Sequence, residues 1–394
     1  MPLTLLLLAL AVFVMGTSEF MLAGLLPAIA DDLSVSIGTA GLLTSAFAIG
    51  MVVGAPTTAA LARRWPARSA LLLCLLAFAV CHAAGALLPV FAPLLLLRIL
   101  SALANAGFLA VALSTAASLV PADRTGRAIA VLLAGTTLAT VIGVPAGSLL
   151  ATMLGWRATF WAIALLCLPA IAGVLLGVRR DAGLGGERST GPSLGAELAR
   201  LRSPRLVLAM LLGALVNGGT FAAFTYLAPI VTDVAGLADA WVPAALVLFG
   251  IGSFLGVMLA GPLSDRFPGA VLAVASPLLV VGWVLLLHLA RHPVPLLLGV
   301  LLLGMLSFAV GSTLIAGILR EAAGAPTMAG SYATAALNTG AAAGPVLGAL
   351  SLSAGSGPLG PIAVAAVLSG IALPLLALRR ARGDGTAAAS ARSR

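Results

Sequence analysis

The stretch LTLLLLALAVFVMGTSEFMLAGLLPAIA, residues 3–30, decides the fold. A hydrocarbon core about 30 Å thick is crossed by a helix of about 20 apolar residues. This segment is longer than that, and the one charge inside it is Glu19. A charge at such depth costs about 2.5–3.5 kcal/mol on insertion scales, so it persists where it is paired, hydrated or used. Working outward, similar runs fall near 38–61, 69–88, 93–120, 127–151, 157–178, 205–232, 241–263, 269–290, 294–319, 328–352 and 357–378. Strands of a membrane barrel would alternate in polarity and these runs do not. The fold class is therefore an all-α membrane protein with twelve transmembrane helices.

Composition agrees with that reading and removes several functions. At 61% hydrophobic and 8% charged, a water-soluble domain could not cover its own core. The net charge of +9 comes from arginines alone, since the sequence contains no lysine. Basic loops between membrane spans account for this charge, with no call on nucleic acid. Without lysine the chain has neither the phosphate-binding Gly-Lys-Ser/Thr of a P-loop nor an amine for Schiff-base chemistry. Cys74, Cys81 and Cys167 all fall within spans and read as packing residues. His82, His288 and His292 are too scattered for a metal site. Ala28-Ile29-Ala30 before Asp31 mimics a signal-cleavage site, but no basic n-region precedes it and the apolar run is too long. The segment reads as a retained first span.

Arginine placement orients the helices. With the N-terminus in the cytoplasm, eighteen of the 21 arginines lie in cytoplasmic loops and the tail. Arg157 and Arg291 lie outside, and Arg98 lies within a span. That asymmetry puts both termini inside. Arg179 to Pro204 is rich in Gly, Ser, Arg and Glu and reads as a cytoplasmic linker. Within it, 196–202 is expected to form a short surface helix. The expected organisation is one six-helix half over 1–178, the linker over 179–204, a second half over 205–378 and a tail over 379–394.

The halves repeat. Pro27 in Leu26-Pro27-Ala28-Ile29 and Pro229 in Ala228-Pro229-Ile230 are 202 residues apart. The same offset relates Leu61-Ala62-Arg63-Arg64-Trp65-Pro66 to Leu263-Ser264-Asp265-Arg266-Phe267-Pro268. Gly143-Val144-Pro145-Ala146-Gly147 is echoed by Gly344-Pro345-Val346-Leu347-Gly348. Two pseudo-symmetric halves about a central cavity, with substrate near the midplane, are the architecture that follows.

Glu19 lies about 16 residues, roughly 24 Å, from the inner end of its span, and Arg98 about five residues, roughly 8 Å, from the outer end of the fourth. Both fall in the outer half of the membrane and can share a cavity. Two readings stand: a static ion pair that locks two helices, or a titrating site in which apolar burial and a nearby guanidinium act on the acid in opposite senses. Asn105 lies two turns from Arg98 on the same span, with Asn217 and Asn338 in spans 7 and 11. Each amide serves helix packing or substrate contact. Phe221, Phe224 and Tyr226 of span 7 pack the bundle or line an amphiphilic pocket. Gly143 and Gly147 permit close helix approach, and Pro145 bends span 5. Gly250-Ile251-Gly252-Ser253-Phe254-Leu255-Gly256 has the wrong spacing for a dinucleotide loop and reads as helix packing.

These motifs resemble the major facilitator superfamily over essentially the whole chain. Gly261-Pro262-Leu263-Ser264-Asp265-Arg266-Phe267 is similar to its loop motif. The first-half copy departs from the pattern, with Arg63 at the acidic position, Pro66 at the glycine and Arg64 where Arg266 stands in the second. The resemblance assigns Asp265, Arg266 and Arg64 to a gate at the inner helix ends; for Asp265 and Arg266 a plain solvated loop pair is the alternative. Leu97-Arg98-Ile99-Leu100 through Gly107 resembles the span-4 motif linked to proton coupling, and Gly135 to Gly147 the span-5 antiporter motif. Gly16-Thr17-Ser18-Glu19-Phe20-Met21 looks like the first span of twelve-span drug:proton antiporters and sugar effluxers. Leu212-Gly213-Ala214-Leu215-Val216-Asn217-Gly218, Phe224-Thr225-Tyr226-Leu227-Ala228-Pro229 and Ser307-Phe308-Ala309-Val310-Gly311 resemble actinomycete chloramphenicol-resistance exporters.

The resemblance implies proton-coupled efflux of a small amphiphilic antibiotic, with chloramphenicol foremost, across the cell membrane. The implied carrier is a monomer that needs no cofactor beyond the proton gradient. Export of sugars or of an endogenous metabolite is the alternative. A receptor or enzyme is a remote one, since no nucleophile, base and oxyanion cluster appears.

Overall fold

The computed structural model describes residues 3–61, 66–121, 124–178, 194–325 and 328–392. Among them are twelve helices long and apolar enough to cross a membrane. Spans 1 to 6 comprise Leu3–Phe20 continued by Leu22–Asp32, then Ile37–Leu61, Ala67–Leu87, Phe91–Ser118, Thr125–Leu154 and Trp156–Gly177. Spans 7 to 12 are Pro204–Thr225 with its continuation to Val234, then Trp241–Arg266, Pro268–Leu289, Pro293–Glu321, Ala329–Ser353 and Gly360–Leu378, whose helix continues to Arg392 in the tail. The helices satisfy most of their own backbone, as segments in hydrocarbon must. We call the face where span 1 begins the near face and the opposite one the far face.

Two large apolar cores divide the bundle. One is drawn from residues 5–178 with Tyr226 added, the other from residues 212–376 with Ala23 and Val144 added. The three visitors mark where the two groups of helices meet. Span 2 packs along span 11, span 5 meets span 8, and the second part of span 1 meets the continuation of span 7.

Three spans are irregular, and all three irregularities lie at these meetings. Span 1 is not one helix over 3–30: it breaks at Met21, whose N–H still bonds the Thr17 carbonyl at 2.9 Å. Span 7 breaks at Tyr226, where Pro229 has no N–H to offer the Thr225 carbonyl four residues back. Span 5 carries a π-helical turn over Ala139–Gly143, in which the Val144 N–H reaches back to the Ala139 carbonyl. Pro145 has no N–H, so neither Val144 nor Pro145 serves the carbonyl of Thr140. That carbonyl faces Gly250 of span 8, where a Cβ would lie 2.5 Å from the oxygen. Where a bend is expected, span 5 carries a bulge that turns a backbone carbonyl toward the other core.

The segment 194–202 forms a helix over Leu194–Leu198 and a 3₁₀ turn over Ala199–Arg202. It is more than a surface helix, because Glu197 is buried and anchors it to the loop between spans 10 and 11. The Met328 N–H donates to Glu197 Oε2 at 2.8 Å and the Tyr332 hydroxyl to the Glu197 carbonyl at 2.7 Å.

Candidate functional site

The break in span 1 positions the site. A helix end leaves its last carbonyls without intrahelical donors, and here a side chain from span 4 supplies one. Arg98, 1% exposed, donates from Nη2 to the Ser18 carbonyl at 3.0 Å and from Nη1 to Ser18 Oγ at 2.9 Å. Its guanidinium lies 4.4 Å from the centre of the Phe47 ring of span 2, a cation–π contact that softens burial of the charge. Arg98 Nε has no hydrogen-bond partner. Behind Ser18, His82 of span 3 places Nε2 2.6 Å from the same Oγ and Nδ1 2.8 Å from the Phe78 carbonyl oxygen.

Glu19 follows Ser18 directly. It is partly open where Ser18 is fully buried. No salt bridge joins it to Arg98, although the guanidinium and the Asn105 amide both lie close enough to act on its carboxyl. Asn105 also points its Nδ2 at Met51 Sδ, 3.6 Å away. The acid therefore has a charged neighbour, an amide neighbour and an open side.

Phe20, the next residue, reaches across to span 7. Its ring centre is 5.8 Å from that of Phe221 and 6.2 Å from that of Phe224. Phe224 stacks on Phe249 of span 8 at 4.4 Å, and Phe249 meets Phe308 of span 10 edge-on at 6.0 Å. A chain of aromatic rings thus leads from the acid into the second core. Phe221 also packs with Ala48 of span 2 and Ala341 of span 11, which closes the space between the halves at this level.

The remaining sequence candidates are elsewhere. Tyr226 is buried toward the far face, where its hydroxyl donates to the Pro345 carbonyl at 2.8 Å and its ring occupies the space a Cβ on Gly41 would need. It forms the floor of a cavity of ≈ 290 Å³ that Ser36, Gly38, Asp233 and Ser353 also line. Asn217 donates to the Leu337 carbonyl of span 11 at 2.8 Å, whereas Asn338 donates within its own helix, to the Thr334 carbonyl at 3.0 Å. Gly143 packs directly under Thr17, one residue before Ser18, and the Gly147 carbonyl accepts from Thr159 Oγ1 at 2.8 Å. Together with Pro145 they hold the bulge of span 5 against the broken turn of span 1.

Asp265 and Arg266 are exposed at the near end of span 8. Arg266 lies over the Phe267 ring at 5.2 Å, and the buried member of that motif is Ser264, bonded to Thr313 of span 10 at 2.6 Å. Arg64 lies outside the described residues. At the far face, Asp32 pairs with Arg157 and accepts from Trp156 Nε1 at 3.2 Å. Gly155, with φ +82°, makes the turn that brings these two residues into place.

Ser18 and Phe20 stand in the Gly16–Met21 motif without being singled out by it, and His82, behind Ser18, lies in no motif. His82 meets the criterion that selects Glu19 and Arg98, an ionisable side chain within an apolar run. Ser18 and Phe20 carry no charge and are marked by that motif and by adjacency to Glu19. Among the described residues no group of three His, Cys, Asp or Glu side chains is placed to hold a metal ion.

A bundle of this kind, with an acid and an arginine set where two helical cores meet, is a multi-pass membrane transporter. The chain belongs to the Major Facilitator Superfamily, whose family model matches residues 8–335. It is similar to the chloramphenicol resistance protein of Streptomyces lividans, 66% identical over 316 residues and 80% of each chain. The inner membrane transport protein YdhP of Escherichia coli K12 is 36% identical over 306 residues, which cover 78% of this chain and 77% of that one. Among solved structures, a bacterial homologue of the human lysosomal transporter Spinster, inward-facing and unoccupied, superposes with a TM-score of 0.73. That alignment is 18% identical over 96% of this chain and 95% of the other, a likeness of fold alone.

Proposed function

We propose that the protein exports chloramphenicol or a related small amphiphilic drug in exchange for protons, with Glu19 as the proton site. The observation that carries this reading is the placement of Glu19: a partly open acid, unpaired with the arginine beside it, followed by a ring that touches the other core. A carboxyl that pairs permanently cannot exchange a proton in each cycle, and one that is fully sealed has no route to it. The 66% identical relative, a chloramphenicol resistance protein, supports the choice of cargo.

The cycle is alternating access. Drug enters between the halves from the near face, which the arginine distribution makes cytoplasmic, and settles against the aromatic chain. Its arrival favours loss of the proton from Glu19. Rocking about the contacts of spans 2 with 11 and 5 with 8 opens the far face, where drug leaves and the acid is protonated again. The proton gradient drives the cycle, and one chain in the cell membrane suffices.

The test is Glu19→Gln, compared with the wild type at equal membrane abundance. Chloramphenicol resistance and drug-evoked proton release from the purified protein are both expected to vanish. Full resistance in that variant overturns the assignment.

A further inference from the structure

The proposed cycle leaves His82 without a part, although it is buried, ionisable and two hydrogen bonds from Arg98. It lies 1% exposed between the rings of Phe78 and Phe160, at 4.3 and 5.5 Å. One assignment satisfies every donor and acceptor of its hydrogen-bond arrangement. The Phe78 carbonyl only accepts, so Nδ1 carries a proton. Arg98 Nη1 donates to Ser18 Oγ, and the Ser18 hydroxyl, whose other contact is Nε2, satisfies its own proton by donating it there. Nε2 is then the acceptor and the ring is neutral. Donation runs one way, from Arg98 in span 4 to Ser18 in span 1, to His82 in span 3 and on to Phe78.

We propose that His82 is a positioning residue for the proton site: by accepting the Ser18 hydroxyl it keeps that oxygen turned toward Arg98 and so holds the guanidinium on Ser18 instead of Glu19. This rests on the reading of Glu19 as the proton site. Both Nη atoms of Arg98 are committed to Ser18, and Nε alone has no partner. In that arrangement the Nη1/Nη2 end of the guanidinium is occupied, so an end-on two-point pair with the neighbouring carboxylate, a geometry arginine otherwise favours, is not formed. Without the acceptor at position 82 the Ser18 hydroxyl competes with Nη1, the guanidinium swings free, and the static pair with Glu19 stalls proton exchange. Among the described residues no other charged side chain takes over: span 2 brings Phe47 and Met51 to this level, span 4 adds Asn105, and Arg127 and Arg157 lie at the ends of spans 5 and 6.

The experiment uses the full chain in proteoliposomes, with chloramphenicol transport measured under an imposed pH gradient and as gradient-free exchange. His82→Phe keeps an aromatic ring between Phe78 and Phe160 but offers no acceptor. It is expected to lower gradient-driven turnover at least tenfold, with the KM for drug and the exchange rate unchanged. His82→Gln retains a side-chain carbonyl and is expected to recover most of the loss. Full driven turnover in His82→Phe beside an inactive Glu19→Gln overturns the role of His82 alone. So does an equal loss of driven transport and exchange, which marks a purely structural residue. A wild type in which the gradient drives no transport takes down the proton-site reading, and this role with it.

Discussion

Arg98 grips Ser18 by both its hydroxyl and its carbonyl, at 2.9 and 3.0 Å, and forms no salt bridge with Glu19 one residue further on. The arginine repairs the broken end of a helix, and the acid beside it stays available. Two-point donation is the property that matters, and lysine lacks it, having one rotating ammonium in place of a planar fork. Arg98→Lys is expected to keep the positive charge yet lose one of the two bonds, at about 1.5–3 kcal/mol for a hydrogen bond to a charged group. Thermal unfolding of the purified protein should register that loss, and gradient-driven transport should fall at least tenfold. Wild-type transport in this variant excludes any need for the paired grip.

The Thr140 carbonyl that the span-5 bulge turns outward meets Gly250 of span 8 so closely that no side chain fits between them. The obstacle is backbone, so it cannot move aside by a change of rotamer. Gly250→Ala is expected to push spans 5 and 8 apart, at about 1–3 kcal/mol for an overpacked contact. Faster hydrogen exchange over 139–144 and weaker drug resistance are the readouts. Gly261→Ala on the same helix is the control, because nothing lies within 4 Å of a Cβ there. Equal behaviour of the two variants removes the contact from the mechanism.

The spans are legible in the sequence because charge is absent from them, and Glu19, Arg98 and His82 stand out by the same logic. What the sequence conceals is where the helices deviate. Pro27 points to a disturbance of the bond to Ala23, yet span 1 breaks at Met21, where a residue of span 4, distant in sequence, receives the Ser18 carbonyl. Pro145 announces a disturbance in span 5, but the bulge and the outward Thr140 carbonyl become apparent only with Gly250 opposite. Tyr226 and Phe224 are two residues apart in one run and end in different places, one plugging the far face and the other in the aromatic chain beside Phe20, because the helix breaks at Tyr226. Tertiary partners decide each of these, and a window of local sequence does not contain them.

Glu197 ties the segment before span 7 to the start of span 11 through the Met328 N–H and the Tyr332 hydroxyl. A carboxylate that accepts a backbone N–H in a buried place leaves that donor stranded when it is removed, at about 1–3 kcal/mol. Glu197→Ala is expected to lower the unfolding temperature and to speed cleavage by an arginine-specific protease at Arg200 and Arg202, both exposed on that segment. Glu197→Gln, which keeps a carbonyl oxygen, should restore most of the protection. Unchanged cleavage in Glu197→Ala shows that the segment is held by other contacts.

Orientation decides whether the carrier exports or imports, and it rests on eighteen arginines assigned to the near face and chain tail. Positive charge of this kind is expected to hold the loops of that face in the cytoplasm during insertion. Ala323, exposed between spans 10 and 11, belongs to it, and Ala238, exposed before span 8, belongs to the far face. The natural cysteines add little background, since Cys81 and Cys167 are buried and Cys74 is half-buried. In intact cells a membrane-impermeant maleimide is expected to label Ala238→Cys and to reach Ala323→Cys only after permeabilisation. The reverse pattern turns the molecule over: drug entering at the near face would then come from outside, and the same proton site would serve uptake.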